Sequence, residues 1–221
     1  MTTITEDLVL LLLDPDSGRP VVDGTALDHA IGGALLLDLS LRDRIAADGD
    51  GAKARLTVDD PAPTGDALLD SALDRLAGKP LRAQRAVERL TRKYRERVLD
   101  RLVQRGIVER RVQKRMGLFP STYWPAVDNG PGRELRAALA RVLRDGGEPD
   151  ERTACLVSLV HAVKAEHKLV DGPRRKLRAR AAEVTRGEWA GAAVRRAVQA
   201  VQVSVAVALS AAASAGTAGS S

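Results

Sequence analysis

Aromatic side chains are scarce in this chain, making up only 2% of its 221 residues. A core with so few rings must be built from Leu, Val and Ala, which suits helix packing better than a β-sandwich. The single cysteine, Cys155, excludes an internal disulfide or a cysteine metal cluster. It lies in an apolar run, so we expect it to be a small core residue.

Long apolar runs are missing as well. The most membrane-like window, residues 197–215, is rich in Ala and interrupted by Gln and Ser, which makes it a poor spanning helix. The first residues carry no basic stretch before their short apolar run, unlike a signal peptide. We therefore predict a soluble cytoplasmic protein whose contact with a membrane, if any, is peripheral.

Motifs that carry catalysis are also lacking. The sequence has no Gly-rich phosphate loop and no nucleophile elbow, and His161 and His167 are six residues apart rather than the four of a helical zinc pair. The Asp-Gly-Asp-Gly run at 48–51 predicts a turn and not a calcium loop, because basic residues follow it and no Glu stands at the twelfth position. We expect no enzyme activity, no cofactor and no metal.

Charge is abundant and unevenly distributed. The net charge is +6, but residues 1–80 hold 7 basic and 15 acidic side chains, whereas residues 81–115 hold 13 basic and 4 acidic ones. Residues 152–221 are again basic, with 11 cations and 4 anions. Such concentrated positive charge indicates a nucleic-acid face, a surface for anionic lipid or a merely solvated helix face. For the early carboxylates, solvated surface is the default expectation.

Apolar periodicity and turn residues predict a single, mainly α domain with two short β-hairpins. The domain covers residues 1–209, and the Ala/Gly/Ser-rich residues 210–221 form a frayed, flexible tail. The first hairpin is centred on residues 48–51, and the second joins extended segments at 107–115 and 118–127. Helices are predicted at about 5–13, 26–42, 67–76, 82–105, 133–145, 151–168, 174–186 and 189–209.

The predicted helix at 82–105 carries most of the central positive charge. Its apolar residues recur every three or four positions, so one side packs against the rest of the protein. At about 100° per residue, the arginines fall on the opposite side and are available to a ligand. The candidate phosphate-binding residues are Arg85, Arg89, Arg92 and Arg95.

The second hairpin concentrates the rare aromatic residues. Its turn and flanks contain Leu118, Phe119, Tyr123 and Trp124. One interpretation is that this apolar segment folds back onto the core. The other is an exposed patch for a protein partner or a bilayer interface, where Trp and Tyr are favoured.

Several stretches resemble the Golgi phosphoprotein 3 family. They are residues 8–13, 33–45, 62–73 and 92–108, of which the most specific is Ala-Pro-Thr-Gly-Asp at 62–66 followed by Leu-Leu-Asp at 68–70. Order and spacing match along most of residues 4–209. The high Ala and Arg content favours a bacterial member of the family.

The resemblance implies a four-helix core wrapped by amphipathic helices and loops. It also implies a non-enzymatic protein that binds phosphatidylinositol 4-phosphate on a basic surface and engages cytosolic protein tails, with an apolar hairpin for membrane insertion or oligomer contact. Two arginines of the family's lipid site correspond to Arg92 and Arg95. The site's tryptophan and third arginine fall near Asp23 and Gly32, and an Asp at the first position should weaken phosphate binding.

We therefore expect reversible binding to anionic phospholipids at the inner face of the membrane, with less head-group selectivity than the eukaryotic site. A winged-helix-like DNA-binding protein is an alternative, because a basic helix followed by a hairpin also fits that class. An aromatic hairpin tip is unusual for a DNA wing, so nucleic acid is not the expected partner. A protein adaptor that binds acidic tails is the other alternative.

Overall fold

Helix α2 is the central element of the fold. In the computed structural model, which describes residues 2–49, 51–91, 93–115, 119–187 and 192–217, residues 30–40 of this helix are all buried. Several other helices of the domain pack against this stretch. The helices are α1 (Ile4–Leu12), α2 (Gly24–Ser40), α3 (Ala67–Leu76), α4 (Ala83–Arg89), α5 (Tyr94–Gln104), α6 (Gly130–Leu143), α7 (Glu151–Ala162), α8 (Glu166–Leu169), α9 (Arg174–Arg186) and α10 (Ala192–Thr217).

Two glycines allow α2 to pack closely against its neighbours. A Cβ atom on Gly32 would lie 2.8 Å from the carbonyl oxygen of Val87 on α4. A Cβ atom on Gly33 would lie 2.9–3.0 Å from side-chain carbons of Leu159, Val201 and Val205, on α7 and α10. The backbone contact excludes a side chain at Gly32, whereas a side chain at Gly33 would require Leu159, Val201 and Val205 to shift.

Two small antiparallel sheets complete the domain. Strands β1 (Ile45–Asp48) and β2 (Arg55–Val58) form the first predicted hairpin, and β3 (Leu81–Arg82) adds a third strand that the sequence did not predict. Strands β4 (Arg111–Arg115) and β5 (Phe119–Tyr123) form the second hairpin. The prediction of a mainly α single domain with two small β elements is confirmed.

The predicted helices at 151–168 and 189–209 have different bounds in the structure. The segment at 151–168 is divided, because α7 ends at Ala162 and α8 begins at Glu166. Lys164 between them has a left-handed backbone (φ 57°), which a continuous helix does not allow. Helix α10 continues past 209 to Thr217. The domain boundary at 209 and the flexibility of residues 210–221 stay predictions.

Carboxylates buried at the start of α1 correct the expectation of a solvated acidic surface. Asp38 of α2 accepts hydrogen bonds from the backbone N–H groups of Ile4 and Thr5, each at 2.9 Å, and from the Thr5 hydroxyl at 2.7 Å. Burial raises the pKa of Asp38, although these hydrogen bonds oppose the effect. Asp38 thus supplies partners for free N–H groups of the first turn of α1.

Glu6 in the same turn is fully buried and is paired with Arg101 of α5 and with Arg105, the C-cap of α5. Its Oε1 lies 3.2 Å from Nε of Arg101 and 2.9 Å from Nη1 of Arg105. Arg101 also holds Asp66 in a bidentate pair, with both N···O distances 2.7 Å. Asp66 is the N-cap of α3, so this network joins α1, α3 and α5.

The pairing of Asp66 also affects its protonation. Partial burial would raise its pKa, but the hydrogen bonds from Arg101 and from the backbone N–H of Leu68 hold the pKa below its usual value of 3.8. A carboxyl whose pKa is lower in the folded state stabilises the fold above its unfolded pKa. That stability is lost as the pH falls through the folded-state pKa.

Gly32→Ala tests the close contact between α2 and α4. Helix propensity alone would make this substitution stabilising by about 1 kcal/mol, but the contact with the Val87 carbonyl should reverse the sign, to a loss of about 1–3 kcal/mol. Thermal and urea unfolding measure the effect. Gly132→Ala in α6 is the matched control, because its Cβ would meet only side-chain atoms of Arg136 and Asn129. Equal stability changes in the two variants would contradict the proposed contact.

Asp66→Asn tests the pair with Arg101. Asn remains a good N-cap but cannot form the bidentate ion pair, so we expect a loss of about 1–2 kcal/mol at pH 7. The difference from the native chain should shrink below pH 4, as Asp66 itself becomes protonated. The measurement is urea unfolding between pH 3 and pH 7.

Asp150→Asn serves as the comparison for that experiment. Asp150 also caps a helix, α7, and its pKa is lowered mainly by its hydrogen bond with Thr153. Asn preserves the hydrogen bond to the backbone, so its cost at pH 7 should be smaller than that of Asp66→Asn. A larger loss of stability in Asp150→Asn than in Asp66→Asn would show that the loss in Asp66→Asn comes from helix capping and not from the pair with Arg101.

Candidate functional site

The predicted arginine-rich helix is not continuous. Helix α4 ends at Arg89, Lys93 has a left-handed backbone (φ 78°), and α5 begins at Tyr94. Leu90 and Tyr94 are both buried, and their spacing of four fits a helix, which is why the pattern suggested one. The prediction of a single helix at 82–105 is wrong, and so is the common arginine face calculated from it.

The candidate arginines are therefore distributed over two helices. Arg85 and Arg89 lie exposed on α4, and Nη1 of Arg89 donates to the carbonyl oxygen of Arg75 on α3 at 3.3 Å. Arg95 lies on α5 and has different partners. Arg92 lies outside the described residues.

Arg95 contacts the first turns of α2. Its Nε donates to Oδ1 of Asp28 at 2.7 Å, and its Nη2 donates to the carbonyl oxygen of Gly24. Burial raises the pKa of Asp28, while the positive charge of Arg95 opposes that shift. Both side chains are about one-third exposed, so the pair can be reached from solvent.

Two lysines approach the same end of α2 from another side. Lys168 of α8 donates from Nζ to the carbonyl oxygen of Val21 at 2.5 Å. Lys164, in the turn before α8, is exposed and lines a groove together with Asp23. Nothing in the local sequence distinguishes these two lysines. Their charge is visible, but the predicted helix at 151–168 places both within one continuous segment.

The groove between α2, α7 and α10 has a volume of about 620 Å³. Asp23 at its edge caps α2, accepting a hydrogen bond from the backbone N–H of Ala26 at 2.8 Å. Most of the other lining side chains are small and apolar, so the groove offers an apolar trough beside charged groups. Its lining residues are Asp23, Thr25, Ala26, Ala162, Val163, Lys164, Ala206, Leu209, Ser210 and Ala213.

The turn that carries Lys164 is bridged by a polar pair. Nδ1 of His161 lies 2.6 Å from Oε1 of Glu166, and Glu166 is buried. His161 is thus a structural neighbour of the groove. Across the residues that the structure describes, no cluster of three His, Cys, Asp or Glu side chains could hold a metal ion.

The second hairpin is only partly described. Strands β4 and β5 pair from Arg111 opposite Tyr123 to Arg115 opposite Phe119, while Leu118 and the side chain of Phe119 lie outside the described part. Tyr123 is half-buried. The apolar tip predicted for this hairpin therefore stays a prediction.

Trp124 does not belong to that tip. It follows β5 at the base of the hairpin, where its side chain is partly buried and packs against the hydrophobic core. Its backbone N–H donates to the carbonyl oxygen of Gly18 at 2.8 Å. For Trp124, the structure therefore agrees with the interpretation that the aromatic segment folds back onto the core.

Comparison with known proteins identifies the family. A family model described as Golgi phosphoprotein 3 (GPP34) matches residues 4–201. The chain belongs to the Golgi phosphoprotein 3 family. Among curated proteins, it is similar to vacuolar protein sorting-associated protein 74 from Eremothecium gossypii, with 27% identity over 162 residues. That match covers 64% of this chain and 49% of the relative, so the chain spans about half the length of the relative.

The geometry bears on the two positions of α2 named in the sequence analysis, Asp23 and Gly32. Gly32 faces the Val87 carbonyl so closely that no side chain fits there, which excludes an arginine at this position. Asp23 is used as a helix cap. Among the described residues, Arg95, Lys164 and Lys168 are cations at this end of α2, and the two lysines lie outside the stretches that resemble the family.

Among the helices that the structure describes, none combines the length and the apolar character needed to cross a bilayer.

Proposed function

We propose that this chain is a non-enzymatic peripheral membrane protein that binds anionic phospholipids reversibly. Phosphatidylinositol 4-phosphate, or a related phosphoinositide, is the head group. The observation that carries the proposal is the position of Arg95, Lys164 and Lys168. They come from two separate segments, α5 and the segment around α8, and approach one end of α2, beside a groove with an apolar lining.

The residue types suit a phosphorylated head group. The planar guanidinium of Arg95 can donate two hydrogen bonds to one phosphate, whereas the lysines act as mobile point charges. Each cation near an anionic bilayer contributes about 1 kcal/mol of binding free energy. Such a small contribution from each cation gives reversible attachment, and a second, apolar contact strengthens it. The groove and the predicted tip at Leu118 and Phe119 are the candidates for that contact.

Acidic side chains at the same place limit head-group selectivity. Asp28 neutralises part of the charge on Arg95, and Asp23 adds a negative charge at the edge of the groove. Because no side chain fits at Gly32, this position cannot supply a further arginine. We therefore propose that affinity follows the negative charge of the lipid more than the position of its phosphate group.

The cellular setting follows from the same proposal. The protein acts at the cytoplasmic, inner face of a bacterial membrane, and membership of the Golgi phosphoprotein 3 family supports cytosolic protein tails as further partners. Self-association through the hairpin at 111–123 is a second mode of contact. No nucleic acid is part of the proposal.

The variant Arg92→Gln/Arg95→Gln tests lipid binding directly. At about 1 kcal/mol for each cation, its affinity for vesicles that contain phosphatidylinositol 4-phosphate should fall by about thirtyfold. Co-sedimentation at several salt concentrations measures the affinity and its salt dependence. Thermal unfolding of the same preparation checks that the variant is folded.

The control variant Lys53→Gln/Arg55→Gln removes the same charge from the hairpin of β1 and β2, which follows the opposite end of α2 and in which both side chains are exposed. It should bind within about threefold of the native chain. Equal losses of affinity in this control and in Arg92→Gln/Arg95→Gln would indicate that binding depends on net charge and not on a specific site. Absence of binding by the native chain to any anionic vesicle would refute the proposed function.

Asp28→Asn should have the opposite effect on binding. The substitution removes a negative charge and releases Arg95 from its ion pair, so vesicle affinity should rise by about fivefold, the equivalent of one additional cation. Asp48→Asn, the same charge change at the exposed end of β1, is the control and should have little effect.

The raised pKa of Asp28 gives this experiment a pH dependence. As the pH falls toward that pKa, Asp28 in the native chain takes up a proton, so native binding should approach that of Asp28→Asn. Comparing the two proteins at each pH cancels changes in lipid charge. A constant ratio of affinities between pH 4 and pH 7 would exclude Asp28 as the controlling group.

A further inference from the structure

Helix α9 presents a second, separate basic face. Its apolar side, formed by Leu177, Ala181 and Val184, is buried against the rest of the domain. The cations on its outer side are exposed, and at about 100° per residue Arg175, Arg178 and Arg186 fall within an arc of about 80°. The exposed cations of α9 are Arg174, Arg175, Lys176, Arg178 and Arg186.

These cations are not neutralised within the described part of the chain. There, the ion pairs of α9 involve Arg180, which lies 3.4 Å from Glu183 and 3.6 Å from Glu148. Arg180 also donates to the carbonyl oxygens of Gly146 and Gly147, so it has a structural role. Among the outer cations, Arg186 donates from Nε to the carbonyl oxygen of Ala182 on its own helix at 3.0 Å. In the described part of the chain none of the outer cations forms an ion pair, so their charge is directed to solvent.

The distribution of charge along α9 is unfavourable for the helix itself. Three cations occupy the first turn, where the helix dipole is positive, and no acidic residue is present there. The N-cap is Pro173, which makes no side-chain capping hydrogen bond. Arg174 and Arg178 also form a repulsive i, i+4 pair. An external anion would relieve this repulsion.

Helix α8 connects α9 to the site at the start of α2. It is attached to that end of α2 through the hydrogen bond from Lys168 to the Val21 carbonyl, and it also packs against α9. Residues 170–173 then lead directly into the first turn of α9. Lys168 and the first cation of α9, Arg174, are therefore joined by a short stretch of chain.

We infer that the outer face of α9 is a second contact for anionic phospholipid head groups, and that it enlarges the membrane-binding surface beyond the groove. The inference rests on the proposed function. None of the large apolar side chains that are exposed in the described residues lies on α9, so this face rests on the head groups without inserting. A bilayer, unlike a nucleic-acid duplex, also suits the adjacent groove with its apolar lining.

The triple variant Arg175→Gln/Arg178→Gln/Arg186→Gln tests this inference. Its affinity for vesicles containing 20% phosphatidylserine and 5% phosphatidylinositol 4-phosphate should fall at least tenfold, with a weaker salt dependence. The control is Lys53→Gln/Arg55→Gln/Arg82→Gln, which removes three exposed cations at the sheet and should bind within threefold of the native chain. The corresponding triple Lys variant of α9 keeps the charge and should retain most of the affinity.

A proximity measurement separates contact from net charge. A fluorophore is attached at Ala179→Cys on the outer face of α9, or at Ala62→Cys in the exposed loop after β2. The native Cys155 is buried, and burial raises its pKa to about 12, so it should not be labelled. Energy transfer to a dye in the vesicle should be stronger from the label on α9.

The outcomes distinguish this inference from the function on which it rests. If the α9 variant binds like the native chain while Arg92→Gln/Arg95→Gln loses affinity, the inference is overturned and the proposed function stands. If the native chain binds no anionic vesicle, both fail. If the α9 variant loses affinity for duplex DNA but not for vesicles, α9 serves a different partner and the inference is overturned.

Discussion

The buried carboxylates at the start of α1 are the constraint on which the rest of the structure depends. Glu6 and Asp38 cannot remain charged inside the protein without partners, because removing a carboxylate from water costs several kcal/mol. Asp38 is satisfied by the first turn of α1, and Glu6 by Arg101 and Arg105 of α5. Meeting both requirements fixes α1, α2 and α5 relative to one another. The network extends to α3 through Asp66, so four helices share one set of charges.

That network also explains how the chain uses its uneven charge. Part of the acidic first third is neutralised internally by arginines of the following basic segment, with Arg101 and Arg105 as examples. The remaining cations are then left for the surface. They include Arg85 on α4, the lysines around α8 and the outer face of α9. A net charge of +6 therefore understates the positive potential at these places, because the acidic groups that offset it in the sum lie elsewhere.

Local patterns were sufficient for much of the fold. The bounds of α3 and α9 and the turn between β1 and β2 follow from periodicity and from the placement of turn residues. The breaks at Lys93 and Lys164 do not, because no Gly or Pro marks them and the apolar spacing continues across each break. Periodicity reports which side of a segment is buried, and it does not report whether the segment is continuous.

Contacts between residues that are distant in the sequence could not be predicted either. Glu6 and Arg105 are 99 positions apart, and nothing local distinguishes a carboxylate that will be buried from one that will stay in water. The same holds for the candidate site. Arg95 can be predicted as a site residue because it lies in a segment that resembles the family. Lys168 cannot, because only the fold places it against Val21. The sequence groups Trp124 with the hairpin tip because it does not show where β5 ends. In the structure β5 ends at Tyr123, so Trp124 lies at the base of the hairpin.

The contact of Gly33 with Val201 and Val205 has a consequence for synthesis of the chain. Helix α2 is synthesised well before its partner α10, and at about 5–20 residues per second the roughly 160 intervening residues take on the order of ten seconds. Throughout that interval the buried helix α2 has one side without its native cover. Exposed apolar surface of this kind can associate with other chains before folding is complete, so this side of α2 needs protection during translation.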